Sequence, residues 1–190
     1  MAVTIRRADI EDALHVAALV DIAGHGIDLD LWLARRDGDN SLLSAVRRMV
    51  REDRSQPYHY SRAHLIEVDG QIAGAIIGGP VDTDAAGTPR PHIDPLIALE
   101  TRAANHWSVL AIAVYPEFRG QGMAGLLLDH AFLLARQEKA SGVSIVVEDS
   151  NAKAIALYKN KGFIETETQP FVPYEGRSGP QNWVMLTRSL

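Results

Sequence analysis

Apolar and polar residues alternate along Val3-Thr4-Ile5-Arg6, as they do in a half-buried strand. Asp9 then stands as a helix N-cap ahead of Ile10, Ala13, Leu14 and Ala17, which share one helical face. Gly24-His25-Gly26 ends that helix. A loop through Asp28, Asp30, Trp32 and Asp37-Gly38-Asp39-Asn40 leads to a second start at Ser41, with Leu42, Val46, Met49 and Val50 as its apolar stripe. Two strands follow, residues 63–68 and 71–78. They are joined by Asp69-Gly70, a two-residue hairpin signal because both positions tolerate positive φ. From Pro80 to Asn105 the pattern predicts a long loop with one helical turn at Leu96 to Glu100. Val109 to Val114 reads as a strand covered on both faces, and Tyr115-Pro116 ends it. A long helix then carries Met123, Leu126, Leu127, Ala131, Leu134 and Ala135 at three- and four-residue spacing. Next come a strand ending at Glu148, a short helix after Asn151, a strand begun at Gly162 and continued through Ile164 to Thr168, an irregular stretch from Gln169 to Asn182, and a last strand from Trp183 to Thr187. The order β-α-α-β-β-β-α-β-α-β-β is a mixed α/β arrangement: an antiparallel first half, then a βαβ unit.

Composition narrows the chemistry. At 190 residues and 46% hydrophobic content, one domain spanning residues 1–190 is expected. A net charge of -5 argues against general nucleic-acid or anionic-membrane binding, so any phosphate site is local. The absence of cysteine excludes thiolate catalysis and disulfides, and the seven histidines show no tight metal-ligand spacing. The first residues show no apolar leader and no run reaches membrane-spanning length, which makes the cytoplasm the default compartment.

The turn Arg119-Gly120-Gln121-Gly122-Met123-Ala124 opens the long helix. The first N–H groups of a helix lack intrahelical partners and sit at the positive end of its dipole, and small residues there let an anion approach. Gly120 to Gly125 also satisfies the dinucleotide fingerprint G-x-G-x-x-G. In that fold, however, the first glycine follows almost directly on the strand, whereas Tyr115 to Arg119 intervene here, and too little chain follows Glu148 for a second set of βαβ units.

The same residues form Arg-x-x-Gly-x-Ala, from Arg119 to Ala124. After the next strand comes a second motif, Asn151-x-x-Ala-x-x-x-Tyr158-x-x-x-Gly162-Phe163. Two motifs in this order and spacing, over about Leu110 to Phe163, resemble the GNAT superfamily of acyl-CoA-dependent N-acetyltransferases. The resemblance implies a central mixed sheet of six to seven strands flanked by about four helices, acetyl-CoA as acyl donor and an amine acceptor as partner, and it allows a homodimer. It further implies that the amides of Arg119, Gly120, Gln121, Gly122, Met123 and Ala124 hold the coenzyme A pyrophosphate. By the same resemblance, Ile112, Ala113 and Val114 offer a strand edge to pantetheine, and Asn151 and Tyr158 line the cofactor from one helix face.

In the chemistry that follows from the resemblance, Tyr158 is the general acid for the departing thiolate. An amine resembling lysine has a pKa of about 10.4, so a proton acceptor is useful near neutrality. The strand position where family members often carry one is Ser108, too weak a base. His106, two residues earlier on the same face, is the substitute, with Glu148 and a water relay behind it. His25, His92, Asp28, Asp30 and Glu100 fall in loops that could border the acceptor pocket. The absent strand base leaves an alternative open, a non-catalytic acyl-CoA-binding sensor or interaction module on the same fold.

Overall fold

The computed structural model describes residues 2–28, 32–33, 36, 38, 41–81, 89–174 and 177–190. Of the positions singled out above, Asp30, Asp37, Asp39 and Asn40 lie outside these. Among the described residues there are seven strands, β1 (Val3–Arg7), β2 (Ala63–Val68), β3 (Gln71–Pro80), β4 (His106–Val114), β5 (Gly142–Glu148), β6 (Ile164–Pro170) and β7 (Asn182–Ser189). There are also five α-helices, α1 (Ala13–Gly24), α2 (Leu42–Glu52), α3 (Asp94–Glu100), α4 (Met123–Gln137) and α5 (Ala152–Asn160). Hydrogen-bonded neighbours run β1-β2-β3-β4-β5-β7-β6, a mixed sheet. The chain divides into two compact units, residues 1–78 with 110–127, and residues 79–109 with 128–190.

In the first unit β1, β2 and β3 form an antiparallel meander, with Val3 opposite Val68 and Ala63 opposite Ile77. The hairpin at Asp69 and Gly70 takes φ of 49° and 80°, as the two residue types permit. Asp9 and Asp12 make a reciprocal capping box on a 3₁₀ turn, Ile10–Asp12, that leads into α1. His25, left-handed at φ 51°, closes α1, and Ser41 caps α2 by accepting from the Ser44 amide. The buried residues of α1 are Ala13, Val16, Ala17, Leu19 and Val20. Ile10 and Leu14, expected among them, are 38% and 39% exposed: Ile10 belongs to the 3₁₀ turn, and on α1 itself the buried face runs through Val16 and Val20 rather than Leu14. This face meets Val46, Met49, Leu65, Ile77, Ala111 and Ala113. Each fully buried Leu or Ile adds about 1.5–3 kcal/mol.

In the second unit β5 pairs antiparallel with β7, and β7 with β6. The stretch expected as a loop from Pro80 to Asn105 holds α3, two turns rather than one. Pro95 in its first turn costs no hydrogen bond there, and residues 82–88 of that stretch lie outside the described ones. β6 begins at Ile164 rather than Gly162, since Gly162 takes φ 84° in the turn after α5. α4 begins in the first unit and continues in the second; its buried residues are Met123, Leu127, Leu128, Ala131, Phe132 and Ala135, whereas Leu126, expected among them, is 42% exposed.

Candidate active site

In the first unit, β4 delivers the chain to the glycine turn. Gly74 of β3 lies so close to β4 that a Cβ there would stand 2.5 Å from the Ala113 carbonyl oxygen. Ile112 is half-buried, while Ala113 and Val114 are buried. The parallel ladder of β4 with β5 covers only His106–Val109 against Gly142–Ile145, so the backbone of Leu110–Val114 takes no part in it.

The chain then turns through a 3₁₀ segment, Pro116–Phe118, into Arg119. Arg119 Nε donates to the Val114 carbonyl at 3.0 Å, and Gln121 Nε2 donates to the Glu117 carbonyl at 3.3 Å. The guanidinium thus closes the turn through Nε, and among the described residues its Nη groups have no partner and it makes no ion pair with Glu117. Gly120 and Gly122 adopt φ of 75° and 82° with open space where a Cβ would point. Left-handed backbone costs an L-residue roughly 1–2 kcal/mol, so glycine is set here by conformation as well as by smallness. Among the described residues no group accepts from the amides of Gly120 through Gly125. The first acceptance in the run is Leu126 N–H to the Gly122 carbonyl. Free amides, two left-handed glycines and an adjacent guanidinium fit a pyrophosphate.

Beside this turn, His15 Nδ1 and the Tyr115 hydroxyl are 3.0 Å apart, a pairing that leaves no local trace in the sequence because the two residues are 100 positions apart.

In the second unit Asn151 caps α5, its Oδ1 accepting from the Ala154 amide at 3.2 Å. Tyr158 lies two turns on and is buried, its ring centroid 6.0 Å from that of Phe163. Burial pushes its hydroxyl pKa well above the usual phenol value, so Tyr158 stays protonated through neutral pH. Ser108 is buried and stands in register with Ser144. His106 is the first residue of β4, its Nδ1 3.3 Å from the Ala104 carbonyl, and its Nε2 would stand 2.5 Å from a Cβ on Gly142.

Glu148 ends β5, buried, with both carboxylate oxygens accepting from Arg177 Nε at 3.0 and 3.1 Å and a further bond from Arg177 Nη2 to Oε2. Arg177 was not singled out from sequence. A carboxylate closing a buried strand requires a cation, and that requirement was the available signal. Among the described residues no group of acids and histidines could hold a metal ion, and no helix is long and apolar enough to cross a membrane.

Against known proteins, the profile of the acetyltransferase (GNAT) family matches residues 30–163, well over half of the chain. Among curated proteins none matches. Solved structures share the fold. One acetyltransferase is 21% identical with a TM-score of 0.70, each chain covering 98% of the other. An N-acetyltransferase from Staphylococcus aureus Mu50 is 18% identical with a TM-score of 0.64, over 97% of this chain and 100% of that one. The ribosomal-protein-S18-alanine N-acetyltransferase from Escherichia coli is 17% identical with a TM-score of 0.61, over 99% of this chain and 94% of that one. With both motifs on their expected elements and the family profile spanning them, the chain belongs to the acetyltransferase (GNAT) family.

Proposed function

We propose that the protein transfers an acetyl group from acetyl-CoA to a primary amine that attacks directly. The observation carrying this reading is the pair of left-handed glycines, Gly120 and Gly122, in a run of six amides that have no acceptor among the described residues at the start of α4. When bound, acetyl-CoA supplies a thioester-activated acetyl group. The amides of Gly120 to Ala124 bind its pyrophosphate, and Arg119 adds positive potential through its unpartnered Nη groups. The backbone of Ile112–Val114, outside the ladder with β5, offers N–H and C=O groups to the pantetheine and acyl carbonyl. Asn151, its Oδ1 committed to the cap, retains its Nδ2 as a donor.

Tyr158 Oη holds the proton for the departing sulfur. Burial supports this role, since it keeps the phenol neutral. The proton that the attacking amine sheds goes to water or to His106, the base candidate on β4, and the thiolate takes its own from Tyr158. Calorimetry with acetyl-CoA and NAD, followed by turnover of a panel of primary amines, tests the proposal. Acetyl-CoA binding with amine turnover is the expected result. Binding without turnover of any amine would favour the non-catalytic acyl-CoA-binding reading, and NAD binding would overturn both.

A further inference from the structure

The carboxylate of Glu148 is held by a cation that comes from an irregular segment rather than from the sheet. Arg177 lies between β6 and β7, and its side chain is 29% exposed against 4% for Glu148, so the guanidinium stands between a buried acid and solvent. The base of that segment is fixed. Asp149 accepts from the amides of Gln181 and Asn182 at 3.0 and 2.8 Å, and the Phe171 amide donates to the Gln181 carbonyl at 2.8 Å. Apart from its pair with Glu148, Arg177 exchanges paired backbone bonds with Tyr174, at 2.9 and 3.2 Å.

Glu148 stands across the ladder from the end of an aromatic row. Trp183 is its register partner on β7, the Trp183 and Phe171 centroids are 5.2 Å apart, and Tyr174 continues the row 5.8 Å from Phe171. Among the described residues the Trp183 indole N–H is buried without an acceptor; being a donor it offers nothing to a cation, but it gives a resonance sensitive to what lies beside the ring. A carboxylate among aromatic faces is the chemistry that recognises an alkylammonium ion: the acid neutralises the charge, and the ring quadrupoles attract it.

We propose that Glu148, with Trp183 and Phe171, is a subsite for a primary alkylammonium group, and that Arg177 is an internal cation occupying it until such a group displaces it. One positive charge exchanges for another, so the buried acid is never left uncompensated. The amine's part as acetyl acceptor rests on the function proposed above, whereas its binding does not.

The test uses the full-length protein without acetyl-CoA, titrated with n-butylammonium at constant ionic strength, with butyrate as the anionic control. The readout is the Trp183 indole N–H resonance, assigned through Trp183→Phe. Wild type should show a weak saturable shift with n-butylammonium and none with butyrate. Arg177→Met should bind at least about tenfold tighter, because the competing cation is gone. Adding Glu148→Gln to Arg177→Met should abolish the shift. Equal affinity of Arg177→Met and wild type, or undiminished binding by the double variant, would overturn the proposal. If Arg177→Met does not fold, Arg177→Lys decides. Lysine cannot make the bidentate pair and should release the site to intermediate affinity, and an unchanged affinity counts against the proposal. Amine binding without acetyl transfer would leave the subsite standing and overturn the transferase reading. Transfer without this binding would do the reverse.

Discussion

Arg119 Nε donates to the Val114 carbonyl across 3.0 Å, which ties the turn before α4 to the last residue of β4. One side chain thereby fixes the turn and leaves the rest of its guanidinium available for an anion. Arg119→Met removes both contributions. A hydrogen bond involving a charged group contributes about 1.5–3 kcal/mol, so the Kd for acetyl-CoA should rise about tenfold or more by calorimetry. Arg119→Lys keeps the charge but not the fork geometry and should fall between. Wild-type affinity in both variants would remove Arg119 from the binding site.

Gly122 separates conformation from space. Its φ of 82° strains any ordinary L-residue, yet a Cβ would meet nothing. Gly122→Asn should therefore fold normally, because asparagine tolerates the left-handed region, while Gly122→Val should lose about 1–2 kcal/mol or more in denaturant unfolding. Both place a side chain at the anion turn, so both should weaken acetyl-CoA. Tight binding by a folded Gly122→Asn would move the pyrophosphate elsewhere.

How far the sequence carried follows from which interactions are local. The Asp69-Gly70 hairpin, the caps at Asp9, Ser41 and Asn151, and the glycine turn are specified within a few residues, and each stands where the spacing placed it. Misplacements came where tertiary packing overrides periodicity. Leu126 satisfies the helical spacing of α4 yet faces solvent, and Leu128 and Phe132 take the buried face. α3 was underestimated because its seven residues carry a short apolar stripe in a proline-rich stretch. Pairs joined only by the fold, Arg177 with Glu148 and His15 with Tyr115, leave no local trace.

Acid stability should report on Asp12. The hydrogen bonds from the Arg6 guanidinium, at 2.6 and 3.0 Å, hold its carboxyl below the usual aspartate value, and the Asp9 amide adds a third. A carboxyl whose folded pKa lies below its unfolded value of about 3.9 contributes fully above that value and loses its contribution as pH falls through the folded one. Asp12→Asn should therefore be destabilised by about 1–3 kcal/mol at pH 7, with the difference from wild type shrinking below pH 4. A difference independent of pH from 7 to 3 would assign the loss to packing instead.

Tyr158 combines burial, a protonated hydroxyl and the second family motif, and Phe163 packs against its ring. A phenol neutral at pH 7 can donate to a thiolate of pKa about 8.5, and burial raises its own pKa further, which makes it a weaker donor but one that stays loaded at alkaline pH. Phenylalanine keeps the ring and removes the proton. Tyr158→Phe should preserve the fold and acetyl-CoA affinity while lowering kcat about 10²-fold, the lower end of what one positioned acid supplies. The pH dependence adds a second check. A tyrosine whose folded pKa is raised favours the folded state below its unfolded value of about 10, and that contribution is lost as pH climbs towards the folded value. Wild type should thus lose stability above pH 10 in part through Tyr158, and Tyr158→Phe should lose less. An unchanged kcat under conditions where chemistry limits the rate would leave Tyr158 as a core aromatic, with water supplying the proton to sulfur.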